Sequence, residues 1–240
     1  MTDHDAREAR RTGLEANLAS VRARIDSAVH AAGRGAGEVT LTVVTKFFPA
    51  SDVRLLADLG VVDVGENRHQ EAVDKAAVCE DLVLRWHYIG ALQSNKAAAV
   101  ASYADLVESV DRLKLVNGLG RGAEQRGRRL DCLLQVSLDP PEAGGQRAGV
   151  HPEDLAALAA RVADHDHLAL RGLMAVAPLG QEPDRSFASL VEIRERFLAE
   201  HPDATVLSAG MSGDLESAIS HGATHVRIGR AVLGERPLIK

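Results

Sequence analysis

From residue 39 to residue 228 the chain alternates short runs rich in β-branched residues with longer amphipathic segments, and it completes eight such units. Strands are expected at 39–45, 61–64, 86–89, 105–110, 130–138, 170–177, 205–207 and 225–228. Helices are expected between them at 51–59, 68–78, 94–101, 111–126, 152–163, 185–199 and 212–220. The first run, Val39-Thr40-Leu41-Thr42-Val43-Val44-Thr45, is the pattern of a strand buried on both faces, as in a parallel sheet covered by helices. Eight units with no evident edge strand predict a closed (β/α)8 TIM-type barrel in the α/β class. An open doubly wound sheet is the competing layout. Ahead of the first strand, Leu14, Leu18, Val21, Ile25 and Ala28 recur at helical spacing, which adds an N-terminal helix that ends at the Gly33, Gly35, Gly37 cluster.

At 240 residues and 45% hydrophobic content the chain suits one large core, and no linker or low-complexity stretch divides it, so one domain over 1–240 is expected. Cys79 and Cys132 lie far apart without CxxC spacing, which points to neither a disulfide framework nor a zinc site. The charged segment at 1–11 has no apolar stretch after it, and no run is long enough to span a bilayer. A cytoplasmic protein is expected. The net charge of −6 argues against general affinity for nucleic acid, and Arg121, Arg126, Arg128 and Arg129 read as a solvated helix-end face. One long connection, 139–150, carries two prolines and three glycines; it reads equally as a mobile lid or as a tolerated surface insertion.

In barrels of this kind the site lies at the C-terminal ends of the strands, with phosphate commonly held after strands seven and eight. Here strand seven is followed by Ser208-Ala209-Gly210-Met211-Ser212-Gly213, a small-residue turn opening a helix, and strand eight by Gly229-Arg230. Backbone N–H groups in such turns favour an anion. Either turn taken alone also reads as a plain N-cap at Ser212 with glycines that only make the bend. A closed barrel puts strand eight beside strand one, so Lys46, at the end of strand one, would stand beside the anion site, where an amine suits Schiff-base chemistry. Arg227 shares the side of its strand on which Gly229 lies, and Asn67 in Gly65-Glu66-Asn67-Arg68 adds an amide to the same rim.

These residues belong to a set of motifs: Thr45-Lys46, Gly65-Glu66-Asn67, Trp86-His87-Tyr88-Ile89-Gly90, Leu92-Gln93-Ser94-Asn95-Lys96, Arg171-Gly172-Leu173-Met174, Gly210-Met211-Ser212 and Val226-Arg227-Ile228-Gly229. Over about 14–234 the chain resembles the pyridoxal phosphate homeostasis protein family, itself similar to the N-terminal barrel of alanine racemase, a fold type III pyridoxal-phosphate barrel. The resemblance implies pyridoxal 5'-phosphate as cofactor and Lys46 as its Schiff-base lysine. It places Asn67 near the ring hydroxyl, Arg227 at the ring nitrogen, and Ser208, Ser212, Gly229 and Arg230 around the phosphate, with Gly210 and Met211 in the same turn; Met174 reads first as a packing residue and second as one that lines the ring. The family has a hydroxyl residue where this chain has Arg230, so that contact falls to the backbone N–H or the guanidinium. Arg147 stands where lysine is common, which keeps the charge and loses the amine.

An arginine at the ring nitrogen disfavours a second positive charge there and blunts the ring as an electron sink. The resemblance therefore implies a non-catalytic carrier in vitamin B6 and amino-acid homeostasis, monomeric, with apo forms of pyridoxal-phosphate enzymes as recipients. The alternative is an amino-acid racemase, which needs a tyrosine acid opposite the lysine. The sequence holds only Tyr88 and Tyr103, and no second domain is expected to supply another. A barrel for some other phosphorylated metabolite, with Lys46 acting through charge alone, is the third reading. His165 and His167 precede strand six at the far end from the site, and of His87 and Tyr88 one is expected to point inward.

Overall fold

The chain enters its first helix, α1 (Asp3–Ala31), through a capping box in which the Thr2 hydroxyl accepts the Asp5 N–H and the Asp5 carboxylate accepts the Thr2 N–H. Leu14, Leu18, Val21 and Ile25 are buried in one cluster with Val43, Val226, Ile228 and Leu233, so this helix lies over the seam between the first and last strands. Arg10 fastens it by a bidentate pair to Asp52, and Asn17 donates to Val232 O. The computed structural model describes residues 2–139 and 148–235. Arg147 and the glycine-rich part of the long connection lie outside the described residues.

After α1 come β1 (Thr40–Val44), α2 (Ala50–Asp58), β2 (Asp63–Glu66), α3 (His69–Val78), β3 (Arg85–Tyr88) and a 3-10 turn (Ser94–Lys96) that runs into α4 (Ala97–Ala101). Then follow β4 (Leu106–Val110), α5 (Leu113–Arg126), β5 (Leu130–Val136), α6 (Leu155–Ala163), β6 (Leu168–Ala175), α7 (Pro183–Glu200), β7 (Val206–Ser208), α8 (Leu215–Ser220), β8 (His225–Ile228) and α9 (Arg230–Leu233). Every strand is parallel to its neighbours in the order β1 to β8, and β1 closes on β8 with Thr40 opposite His225 and Thr42 opposite Arg227. The chain is a (β/α)8 barrel, and the open sheet is excluded.

Local chemistry shifts several boundaries. β2 begins two residues later than 61–64 because α2 ends in a Schellman turn: Val61 N–H bonds Leu56 O, and Gly60, at φ 79°, bonds Ala57 O. β6 begins earlier than 170–177, since pairing with β5 already starts at Leu168 opposite Leu130. α8 starts at Leu215 rather than Ser212, because the Asp214 carboxylate accepts the Met211 N–H at 2.6 Å and closes a turn first. Helix α9 was not foreseen.

Residues facing the helices are apolar, as Val43, Val64, Val107, Leu134, Leu173 and Val226 show. The lumen is mixed: Leu106, Leu133 and Met174 pack together, while Thr42, His87, Glu108, Ser208, His225 and Arg227 are also buried. At the base, Arg126 and Arg128 pair with Asp105 and Arg129 donates to Leu168 O, so these arginines fasten strand starts. No helix among the described residues is long and apolar enough to cross a membrane.

Candidate functional site

The mouth of the barrel gathers the expected residues by strand register. Val43 is opposite Ile228, so Gly229 lies beside Val44, and a Cβ on Gly229 would stand 3.2 Å from Val44 O. Lys46 follows two residues later, half-buried in the turn after β1. Asn67 follows β2 on the other side of Lys46, with Gly90 pressed against it: a Cβ at Gly90 would sit 2.2 Å from Asn67 O. The Asn67 side-chain oxygen is buried and accepts no hydrogen bond from the described residues. A buried acceptor without a donor is costly, which marks it as awaiting a ligand or water.

The two turns at the far side of β1 present backbone donors. Gly210 takes φ 95°, and its carbonyl accepts the Arg227 N–H at 2.9 Å, which ties the first turn to β8. Met211 is exposed and its N–H is used by Asp214. The N–H groups of Ser212, Gly213 and Arg230 have no acceptor among the described residues. Ser212 is half-buried and precedes α8 by three residues, so it is no N-cap, and the anion-favouring feature of this turn is free N–H groups rather than a helix end. The Arg230 side chain is exposed.

Ser208 and Arg227 stand deeper than the rim. The Ser208 hydroxyl donates to Glu108 Oε2 at 2.6 Å and accepts from Arg227 Nη1 at 2.7 Å, and the residue is fully buried. Its proton is committed to a carboxylate, so it has no O–H to offer the phosphate expected there. Arg227, 5% exposed, also donates from Nη2 to Ala175 O at 2.9 Å. Met174 is opposite Ser208 in the β6–β7 register and is buried against Leu106 and Leu133.

A line of charge therefore crosses the lumen. Glu108 Oε1 bonds His87 Nδ1 at 2.7 Å, and His87 Nε2 bonds Asp63 Oδ1 at 2.9 Å. Burial opposes the charged form of His87, yet hydrogen bonds to Asp63 and Glu108 outweigh it and lift its pKa to about 8. Burial likewise opposes ionisation of Glu108, but the hydrogen bond from His87, with the charges of His87 and Arg227, brings it down to about 2. His225, whose ring lies 6.3 Å from that of His87, is pushed toward its neutral form by burial. Two carboxylates, an imidazolium and a guanidinium balance, and Arg227 is held as a fixed cation under the mouth.

Sequence reasoning missed Asp63 and Glu108, although a carboxylate inside the apolar strand Leu106-Val107-Glu108-Ser109-Val110 was a visible anomaly. Of the adjacent pair on β3, His87 points inward and Tyr88 packs with the helices. Both tyrosines are held protonated: burial raises Tyr88, and burial, then Tyr88 and Glu66, raise Tyr103. The Tyr103 hydroxyl is buried without a hydrogen-bond partner among the described residues. His165 and His167 lie before β6 with ring centroids 6.0 Å apart, and no cluster of three or more metal-binding side chains is found among the described residues.

Comparison with known proteins agrees with this architecture. The family model for the alanine racemase N-terminal domain matches residues 14–237. The pyridoxal phosphate homeostasis protein of Mycobacterium leprae is 41% identical over 97% of this chain and 96% of its own. PipY of Synechococcus elongatus, solved with PLP bound, is 34% identical, with a TM-score of 0.79 over 92% of this chain and 100% of PipY. An unknown protein from Bifidobacterium adolescentis superposes with a TM-score of 0.84 at 32% identity, over 97% of each chain. The chain belongs to the alanine racemase N-terminal domain family, and within it to the group of pyridoxal phosphate homeostasis proteins.

Proposed function

We propose that this chain binds pyridoxal 5'-phosphate at the barrel mouth, holds it as a Schiff base on Lys46, and serves vitamin B6 homeostasis as a carrier without catalytic turnover. The observation that supports it most is the convergence of unlike groups on one rim. The turn carrying Lys46 adjoins Gly229 through the β1–β8 pairing, free N–H groups flank that position, and an unpartnered amide oxygen stands on the opposite side. The cofactor's functional groups are a phosphate, an aldehyde, a ring hydroxyl and a ring nitrogen. Ser212, Gly213, Gly229 and Arg230 suit the phosphate, with Gly210 and Met211 shaping the turn. Asn67 Oδ1 suits the hydroxyl as acceptor, Arg227 the ring nitrogen, and Met174 the ring.

When bound, the cofactor supplies an aldehyde that exchanges between amines and a ring that withdraws electrons. Arg227 limits the second of these. Its guanidinium is fixed by Ser208, Ala175 and Glu108 and disfavours a proton on a facing nitrogen. Racemisation further requires an acid opposite the lysine, and the burial that keeps Tyr88 and Tyr103 protonated makes both poor proton shuttles. We propose a monomer whose recipients are apo forms of pyridoxal-phosphate enzymes. The name shared by the relatives and the PLP found in PipY support the same reading.

The test is a titration of wild type and Lys46→Ala with pyridoxal phosphate, read by absorbance and by equilibrium dialysis. Wild type should develop a Schiff-base band. The variant should lack the band yet retain ligand that inorganic phosphate displaces. Loss of all binding in the variant at high micromolar ligand would remove the anion site from this reading.

A further inference from the structure

The turn that carries Lys46 is gripped on both sides by buried charge. Lys75, on α3, is 6% exposed. Its ammonium donates to Thr45 O at 2.8 Å, to Glu66 Oε1 at 2.7 Å and to Glu71 Oε1 at 2.7 Å. The same Glu66 oxygen accepts the Thr45 hydroxyl at 2.6 Å, and the same Glu71 oxygen accepts the Phe47 N–H at 2.5 Å. The residue before Lys46 is thus held by its carbonyl and hydroxyl, and the residue after it by its N–H. Phe47 sits at φ 70°, the one non-glycine residue with positive φ among those described, and the Arg68 guanidinium lies 4.5 Å from its ring centroid. A bulky residue in the left-handed region persists only where its surroundings over-determine it.

Stability alone is a poor reason for this arrangement. Burying an ammonium between two carboxylates costs desolvation that the attraction barely offsets, and apolar replacements of such groups are often neutral. What the network does secure is the direction in which residue 46 leaves the backbone.

We propose that Lys75, with Glu66 and Glu71, is the positioning group for the Lys46 amine, setting how readily that amine joins an aldehyde at the barrel mouth. This rests on the reading of Lys46 as the Schiff-base lysine. In the step concerned, the unprotonated ε-amine adds to the aldehyde carbon, a C=N bond forms and one water leaves, with no oxidant or reductant required. The phosphate contacts lie after β7 and β8, on other elements, so the network acts on linkage and not on anion binding.

The test compares Lys75→Met and Glu71→Gln with wild type, using two ligands. Pyridoxal phosphate reports linkage through the rate at which its Schiff-base band appears. Pyridoxine 5'-phosphate, an alcohol in place of the aldehyde, reports binding without linkage. Lys75→Met is expected to slow the band at least tenfold while its affinity for pyridoxine phosphate stays within threefold. Glu71→Gln, which keeps an acceptor for the Phe47 N–H, is expected to slow it less. Equal weakening of both ligands would assign the network a structural role and overturn the proposal, as would an unchanged rate in both variants. If Lys75→Met fails to fold, the Glu71→Gln comparison alone decides. A wild type without any band would instead refute the Lys46 assignment itself.

Discussion

Replacing Glu108 by glutamine should uncouple the lumen charges, and the effect is legible in the pH dependence of stability. In the wild type, His87 rises from 6.5 to about 8 on folding, held there against burial by Asp63 and Glu108. That difference corresponds to about 2 kcal/mol of stability. Because the folded value is the higher one, the contribution is complete below about pH 6.5 and disappears as the pH rises through about 8. Glu108→Gln removes one of the two carboxylates and also leaves Arg227 without its nearest anion at 3.7 Å. Breaking a buried pair on one side costs about 3–5 kcal/mol, so the variant should lose roughly that amount at pH 6. With only Asp63 left to favour its charge, His87 should titrate at a lower pH. Urea unfolding at intervals from pH 6 to pH 9, with ring signals of His87 followed by NMR, measures both quantities. A variant as stable as wild type at pH 6, or one whose His87 still titrates near 8, would refute the charge-line account.

Arg230→Thr should change cofactor affinity by less than about tenfold, roughly 1.4 kcal/mol, since the exposed guanidinium is dispensable where the backbone N–H remains; equilibrium dialysis decides it. Gly172→Ala should destabilise the fold by about 3 kcal/mol or more in chemical denaturation, because a Cβ there would meet Val206 O at 1.8 Å at the β6–β7 junction. Purified protein given pyridoxal phosphate and any single amino acid should show no racemase, transaminase or decarboxylase turnover above the free cofactor in chiral chromatography. Robust turnover would sink the carrier reading.

The barrel was legible because its strands and the helices between them announce themselves within a dozen residues: the β-branched run before Lys46, or the i, i+4 spacing from Leu14 to Leu18, needs no distant partner, whereas the single turn of α9 carries no such pattern. Boundaries slipped where a turn recruited a residue that reads as part of the next element, as Val61 closes α2 and Asp214 delays α8. That Lys46, Asn67, Gly229 and Arg230 share one rim follows from the return of β8 to β1, which a run of eight strands already implies. The hydroxyl bond of Ser208 was not legible, because its partner Glu108 is one hundred residues away in sequence, on a strand across the lumen. Lys75 escaped for a related reason. On α3 it reads as a helix lysine paired with Glu71 one turn away, and only the fold adds Thr45 and Glu66 and buries the group.

Borohydride reduction shows whether Lys46 carries the cofactor. Protein saturated with pyridoxal phosphate is reduced, digested and mapped by mass spectrometry. One stoichiometric adduct is expected, on Lys46, with loss of the Schiff-base band on reduction. An adduct mapped mainly to Lys75 or Lys96, or a spectrum that borohydride leaves unchanged, would contradict the Lys46 assignment.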